Sequence, residues 1–541
     1  MKFCTPLAAA ALAALIALPL HAKDEPAPPK LIVAISVDQF SADLFDEYRP
    51  HAHGGFARLL TGAVFHNGYQ SHAATETCPG HSTILTGFRP EHTGIIANNW
   101  FDAKAPRADK TVYCAEDESV PGTTHDGSYV VSDKHLLVPT LGERMKAANT
   151  ATRVVSVAGK DRAAVMMGGH RVDELWWWDG KAYVSYAGRA VPPVVARANA
   201  ATAALIAQPQ DALEVPLWCA GHDAPVDLGE GKTVGAGHYV RTAGDGKAYR
   251  ASPAFDAATF ALAAGLIQDM KLGHGPATDI IDIGASATDY IGHTYGTEGA
   301  EMCIQLDQLD TTLGRFFDVL DATGVDYEVV LTADHGGNDL PERERVGGIP
   351  QAQRVDISLA PAIMGKAVAA KLGIAGPTLR GDIPNGDIWL DPGLNAAQRK
   401  TVLAAAVIAY EAKPQVAAVF TGTQIAGATE PKGDPATWTL IEKARASYNP
   451  LHSGDLLVFL KPRVTAIPDA LRGYVATHGS PWNYDRRVPI VFWRKGMAGF
   501  DHDGSVETVD IVPTLAHTIG FAMPKVDGQC RDLANNGDPC R

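Results

Sequence analysis

The chain has 541 residues, 46% hydrophobic and 20% charged, the balance of a folded globular protein and not of a fibre or a disordered chain. That length buries a large core and suits one big α/β domain with insertions better than several small ones. A formal net charge of −14 excludes a general binder of nucleic acid or anionic membranes, and it obliges any anion site to gather its own positive charge.

Residues 1–22 read as a secretory signal: Lys2 supplies a positive start, Pro6 to Leu20 is apolar, and Leu20-His21-Ala22 is an acceptable cleavage site. The apolar run is shorter than the roughly 20 residues of a bilayer span. Cys4 precedes the run, which excludes a lipoprotein anchor. Cleavage without a remaining membrane anchor, and a periplasmic or secreted location, are therefore expected. Six cysteines remain: Cys78, Cys114, Cys219, Cys303, Cys530 and Cys540. An even number permits disulfides in an oxidising compartment, and Cys530 with Cys540 is the one local pair that short spacing suggests.

Leu31–Val37 is a continuous apolar, β-rich run, the pattern of a strand buried on both faces. Similar runs recur at 153–157, 279–283, 327–331, 456–460 and 488–493. Helical patterns lie between them at 139–147, 256–271, 298–320 and 509–519. The alternation predicts an α/β fold, a mostly parallel central sheet flanked by helices on both faces. Residues 23–541 are expected to form one domain, with cap segments inserted near 180–252 and 365–449. Trp176-Trp177-Trp178 reads first as a hairpin edge or core corner, and second as a wall beside a leaving group.

Polar residues stand where these runs stop. Asp38 follows the first strand, Asp289 and His293 the third, and Asp334 and His335 the fourth, while His478 precedes the last. In an open α/β sheet the carboxyl ends of the strands line one crevice, so these residues can converge. Carboxylates with imidazoles suit zinc. Asp289 and His293, four apart, share a face if their segment is helical. Other histidines, including His72, His81 and His92, read as structural or surface groups.

Thr75 to Gly87 resembles a turn entering a short helix, with Pro79 near its first position and Gly87 at its end. Thr77 falls at that helix start, where free N–H groups favour an anion. Local sequence alone favours a plain capping threonine, and only the rest of the chain reverses that preference.

The ordered set of motifs resembles the alkaline phosphatase superfamily, in particular its bacterial branch with a threonine nucleophile. The matching elements are Asp38, Thr77-Cys-Pro-Gly-His81, Asn98, Lys160-Asp-Arg162, Asp289-Tyr-Ile-Gly-His293, Asp334-His-Gly336 and His478-Gly-Ser480. The resemblance implies two zinc ions per chain, one on Asp289, His293 and His478, the other on Asp38, Asp334, His335 and the Thr77 oxygen. It implies Thr77 as nucleophile and Asn98, Lys160 and Arg162 as a phosphoryl clamp, supplying the positive charge that the acidic chain otherwise lacks. Lys and Arg aimed at the free oxygens favour small phosphate monoesters over diesters. The alternative is a phosphodiesterase or nucleotide pyrophosphatase of the same superfamily. A sulfatase is disfavoured, because Cys78 is followed directly by Pro79 and Gly80. Cys78 at the helix start is a rival nucleophile on paper, but phosphoryl chemistry at zinc favours a hard oxygen. Oligomeric state leaves no readable mark.

Overall fold

The computed structural model describes Met1 and residues 27–540. The expected signal segment lies almost wholly outside the described residues. Among them, no helix is long and apolar enough to cross a membrane.

A ten-stranded sheet organises the chain. At its centre Leu31–Val37 runs parallel to Asp279–Ala285 on one side and Tyr327–Thr332 on the other. Val154–Ala158 and Glu174–Trp178 continue the parallel arrangement beyond Asp279–Ala285. Beyond Tyr327–Thr332 the direction changes: Arg487–Arg494 pairs antiparallel with it and with Ala63–Tyr69. The expected parallel sheet is thus the core of a mixed one, closed at the far edge by the hairpin partner Tyr183–Val184.

Every residue of Leu31–Val37 is buried, and its alternation sorts side chains to two cores. Leu31, Val33, Ile35 and Val37 pack with Leu313 and Phe317 of the Ala300–Thr323 helix and with Leu262 and Leu266 of the Pro253–Met270 helix. Ile32 and Ala34 pack on the opposite face with Ile84, Leu141 and Leu515. Each fully buried Leu, Ile or Val contributes about 1.5–3 kcal/mol relative to exposure. A one-residue slip would therefore exchange the two faces and is strongly opposed.

The run 456–460 is a strand, but it does not join the central sheet. Leu456–Leu460 pairs antiparallel with Gly386–Leu390 and Val416–Thr421 in a separate four-stranded sheet. That sheet has its own core, where Ile388 and Val458 meet Val402, Ala406 and Tyr410. A continuous apolar run reports burial on both sides and not the identity of the neighbouring strands. The region 180–252 also holds a 14-residue helix, Pro193–Ile206, whose Ala-rich sequence hides its periodicity.

Trp176, Trp177 and Trp178 are 0%, 6% and 5% exposed, which makes them the core corner of the first reading. Three disulfides are formed. Cys530–Cys540 is the short loop expected, Cys219–Cys303 ties the 180–252 region to the Ala300–Thr323 helix, and Cys78–Cys114 crosses beside Thr77.

Candidate active site

The parallel strands end level. Val37 stands opposite Ala285, Ser36 opposite Thr332, and Gly284 opposite Ala158. The residues that follow these ends, Asp38, Ser286, Ala333 and Gly159, therefore open one crevice where the strand order reverses about Leu31–Val37. Asp38, Lys160, Asp289 and Asp334 reach it from four strand ends.

Asp289 and His293 lie on the Ala287–Tyr295 helix, one turn apart as expected. His293 Nε2 is 3.3 Å and His478 Nε2 3.4 Å from Asp289 Oδ1. The His335 ring stacks on His478 at 3.6 Å between centroids, and its Nε2 lies 3.2 Å from Asp334 Oδ2. His335 thus stands between the Asp289 group and the Asp334 group.

The donor set fits a metal. In each imidazole Nδ1 donates to a backbone carbonyl: His293 to Ala476 at 2.8 Å, His478 to Thr75 at 2.7 Å, and His335 to Gly336 at 2.8 Å. Those bonds fix the tautomer and leave the Nε2 lone pairs facing the carboxylates. Asp289 Oδ1, Asp334 Oδ2 and His335 Nε2 are buried without a hydrogen-bond partner, the signature of groups shaped for an ion. Burial and the neighbouring His335 lower His478 to about 4, so it is neutral near pH 7. Burial alone would raise Asp289 and Asp334, but His293 and Lys160 hold the first, and His335 and His81 the second, well below the usual carboxylate range.

His81 is a buried structural group, as one of the two readings has it, but it sits in the crevice itself. It is fully buried, with Nε2 3.2 Å from Asp38 Oδ1 and Nδ1 3.2 Å from Asp334 Oδ2. The signal was present in the spacing: His81 follows Thr77 by four residues on the Thr77–Ile84 helix, so both face the crevice. His72 is fully buried and pushed down to about 3 by burial, as a structural group would be. His92 pairs with Asp527 at 2.8 Å, away from the crevice.

Thr77 opens its helix, as expected, with Glu76 as the residue before it. Pro79 is the third helical position and not the first. The anion-binding potential of this terminus is smaller than the sequence suggested, because the Cys78 N–H already donates to Asn98 Oδ1 at 2.8 Å and Pro79 has none. Gly80 lets the helix press on the sheet end: a Cβ there would fall 2.0 Å from the Asp334 carbonyl oxygen. Cys78, bound to Cys114, is no free thiol and is removed as a rival nucleophile.

Positive charge gathers here. Arg162 Nη2 is 3.5 Å from Thr77 Oγ1. Asp161 accepts from Tyr113 Oη at 2.6 Å and Tyr129 Oη at 2.8 Å, and Arg162 Nη1 donates to Tyr113 Oη at 3.4 Å. Lys160 Nζ lies 2.8 Å from Asp38 Oδ2 and 2.5 Å from Asp289 Oδ2, bridging the two carboxylate groups. Burial would lower its pKa, but those carboxylates raise it, so the ammonium persists. With Oδ1 occupied, Asn98 has only its amide N–H groups to offer a ligand. A cleft of about 930 Å³ opens above Asn98, Arg162, Asp289, His293 and His478. It is not lined by Trp176, Trp177 or Trp178.

Comparison with known proteins accords with this geometry. The family model for type I phosphodiesterase / nucleotide pyrophosphatase matches residues 32–465. Alkaline phosphatase PhoK of a Sphingomonas species is 59% identical over 520 residues, covering 95% of this chain and 93% of its own. Alkaline phosphatase PhoD of Zymomonas mobilis is 47% identical over 509 residues, covering 93% and 88%. The crystal structure of alkaline phosphatase PafA superposes with a TM-score of 0.79 at 25% identity, over 92% of this chain and 97% of that one. The chain therefore belongs to the type I phosphodiesterase / nucleotide pyrophosphatase family, in its threonine-nucleophile alkaline phosphatase branch, and is a phosphate monoester hydrolase.

Proposed function

We propose that the chain hydrolyses phosphate monoesters through a phosphothreonine at Thr77, with two zinc ions, after export and signal cleavage. The observation that carries this reading is the position of Thr77 Oγ1, 3.5 Å from Arg162 at a helix start beside two buried carboxylate–imidazole clusters. The nitrogen and oxygen donors suit zinc. Asp289, His293 and His478 would hold one ion, and Asp38, Asp334, His335 and the Thr77 oxygen the other. Zinc held by these residues would make the Thr77 hydroxyl acidic enough to react near neutral pH and would offset charge on the departing oxygen.

Thr77 Oγ forms the new bond to phosphorus as the ester oxygen departs on the opposite side. Arg162 forks onto two phosphoryl oxygens, Asn98 donates an amide hydrogen bond, and Lys160 adds a fixed charge at the floor. Water then displaces Thr77 from phosphorus and frees inorganic phosphate. Three disulfides in the described chain support an oxidising location.

Thr77→Ala tests this reading. Phosphate release should collapse while zinc content by mass spectrometry stays at two per chain, and acid quenching should trap phosphothreonine only in the parent. Undiminished release would remove Thr77 from the mechanism. Matched aryl mono- and diesters distinguish the diesterase alternative, and the monoester is expected to lead by orders of magnitude.

A further inference from the structure

Glu76 is an uncommon residue to open the Thr77–Ile84 helix. The first N–H groups of a helix have no partner inside it, and the place before them favours a short Ser, Thr, Asp or Asn whose side chain supplies one. Glu76 holds that place, but its side chain makes no capping bond. The Cys78 N–H is satisfied from outside the helix, by Asn98 Oδ1 at 2.8 Å. The Glu76 carboxylate is turned to that same residue, and its Oε2 accepts the Asn98 backbone N–H at 2.7 Å.

This exchange engages Asn98 at every polar group but one. The Cys114 N–H donates to the Asn98 carbonyl at 2.9 Å, and Cys114 is joined through sulfur to Cys78. Backbone N–H, backbone carbonyl and Oδ1 are thus all taken, which leaves the amide NH2 for a ligand in the cleft. The Oδ1 bond ties the end of the side chain, and the Glu76 bond ties the peptide from which the side chain springs. With only the first of these, the amide can pivot about Cys78.

Charge argues that the carboxylate stands there for this bond. Glu76 lines the same cleft as Asn98 and Arg162, and a carboxylate on the wall of an anion site repels the anion. A charge-assisted bond to a fixed N–H is the strong kind of hydrogen bond that offsets such a cost. The Glu76 stem is held as well: it lies against Gly479, where a Cβ would meet Glu76 Cγ at 3.6 Å. We propose that Glu76 is a positioning residue that aims the Asn98 amide at the phosphoryl oxygens. The proposal rests on the reading of Asn98 as a phosphoryl donor and adds the group that orients it.

The test is kcat/KM for 4-nitrophenyl phosphate, with zinc content measured on each sample, in the parent, Glu76→Ala, Glu76→Gln, Asn98→Ala and the double variant Glu76→Ala/Asn98→Ala. Glu76→Ala should lose about 10–10²-fold, the scale of a small misplacement, with zinc content unchanged. Glu76→Gln should recover most of that loss, because its amide oxygen accepts the same N–H. In the Asn98→Ala background Glu76→Ala should cost at most about twofold, since no amide is left to aim. Equal costs in the two backgrounds would overturn the proposal, as would a glutamine variant as poor as the alanine one. Loss of zinc in Glu76→Ala would also overturn it, by placing the effect at His478 through Gly479. Should Glu76→Ala fold poorly, Glu76→Met, which keeps the stem and removes the acceptor, takes its place in the same cycle. Failure of the clamp reading looks different, since Asn98→Ala alone would then leave kcat/KM unchanged.

Discussion

Replacing Arg162 with alanine separates the clamp from the rest of the site. Its guanidinium stands 3.5 Å from Thr77 Oγ1 and is aimed by the Tyr113 hydroxyl. Hydrogen bonds to charged groups are each worth about 1.5–3 kcal/mol. A fork on two phosphoryl oxygens therefore contributes about 3–6 kcal/mol to the transition state of a monoester. At about 1.4 kcal/mol per tenfold, kcat/KM for 4-nitrophenyl phosphate should fall by about 10²–10⁴. A diester has one of those oxygens esterified, so the fork keeps a single bond and the loss should be about 10–10². The monoester-to-diester ratio should thus narrow by about 10–10². The assay is kcat/KM for 4-nitrophenyl phosphate and its methyl ester at fixed zinc, with metal content measured on the same sample. Equal losses on both substrates would refute the argument, because the fork would then not read the second free oxygen.

Three further outcomes follow from named contacts. Tyr113→Phe removes the hydroxyl that bonds Asp161 at 2.6 Å and meets Arg162. It should lower monoester kcat/KM by about tenfold, the value of one such bond, and narrow the monoester-to-diester ratio in the same sense as Arg162→Ala. Gly80→Ala places a Cβ 2.0 Å from the Asp334 oxygen, so denaturant midpoints should show a loss of about 1–3 kcal/mol together with lost activity. Asp282, buried on the Asp279–Ala285 strand, is raised by burial from 3.8 to about 8. The folded chain therefore keeps a proton that the unfolded chain releases above pH ~4. Stability from this group is present below that point and is lost as pH rises towards 8. Urea titrations should show Asp282→Asn gaining on the parent across that window; a constant difference would count against the assignment.

Much of the crevice was legible because most ligand candidates, Asp38, Asp289, His293, Asp334 and His335, follow an apolar run. Asp38 ends an unbroken apolar strand, and Asp289 and His293 declare a shared face by their spacing. What local pattern does not encode is register. Val37 lies level with Ala285, and Ser36 with Thr332, only through long-range pairing. That levelling, and not any motif, puts three carboxylates in one place. The place of His81 in the crevice is hidden in the sequence for a related reason. Its partners Asp38 and Asp334 are 43 and 253 residues away, and nothing near it in sequence shows that its helix lies across the strand ends. The strand at Leu456–Leu460 was found but assigned to the wrong sheet, since full burial looks alike in either.

The same convergence creates the site's main electrostatic problem. Asp38, Asp289 and Asp334 are at most 2% exposed; the fixed cations beside them are Lys160 and Arg162, and His81, which Asp334 and Asp38 raise to about 10 against its burial, is a further charge between those two. A phosphate dianion arriving about 4 Å from one uncompensated carboxylate meets repulsion of about 8 kcal/mol at an effective dielectric of 20, two charges against one. Lys160 is already shared between Asp38 and Asp289, so its charge offsets those carboxylates first and only in part the ligand. On the two-zinc reading, metal is then needed for substrate to bind at all, before any bond is broken. Calorimetry with inorganic phosphate should show heat with zinc-loaded protein and none after chelation, with binding restored by added zinc. Equal phosphate affinity in the chelated protein would mean that Arg162 and the helix start suffice against those carboxylates, and the charge argument would fail.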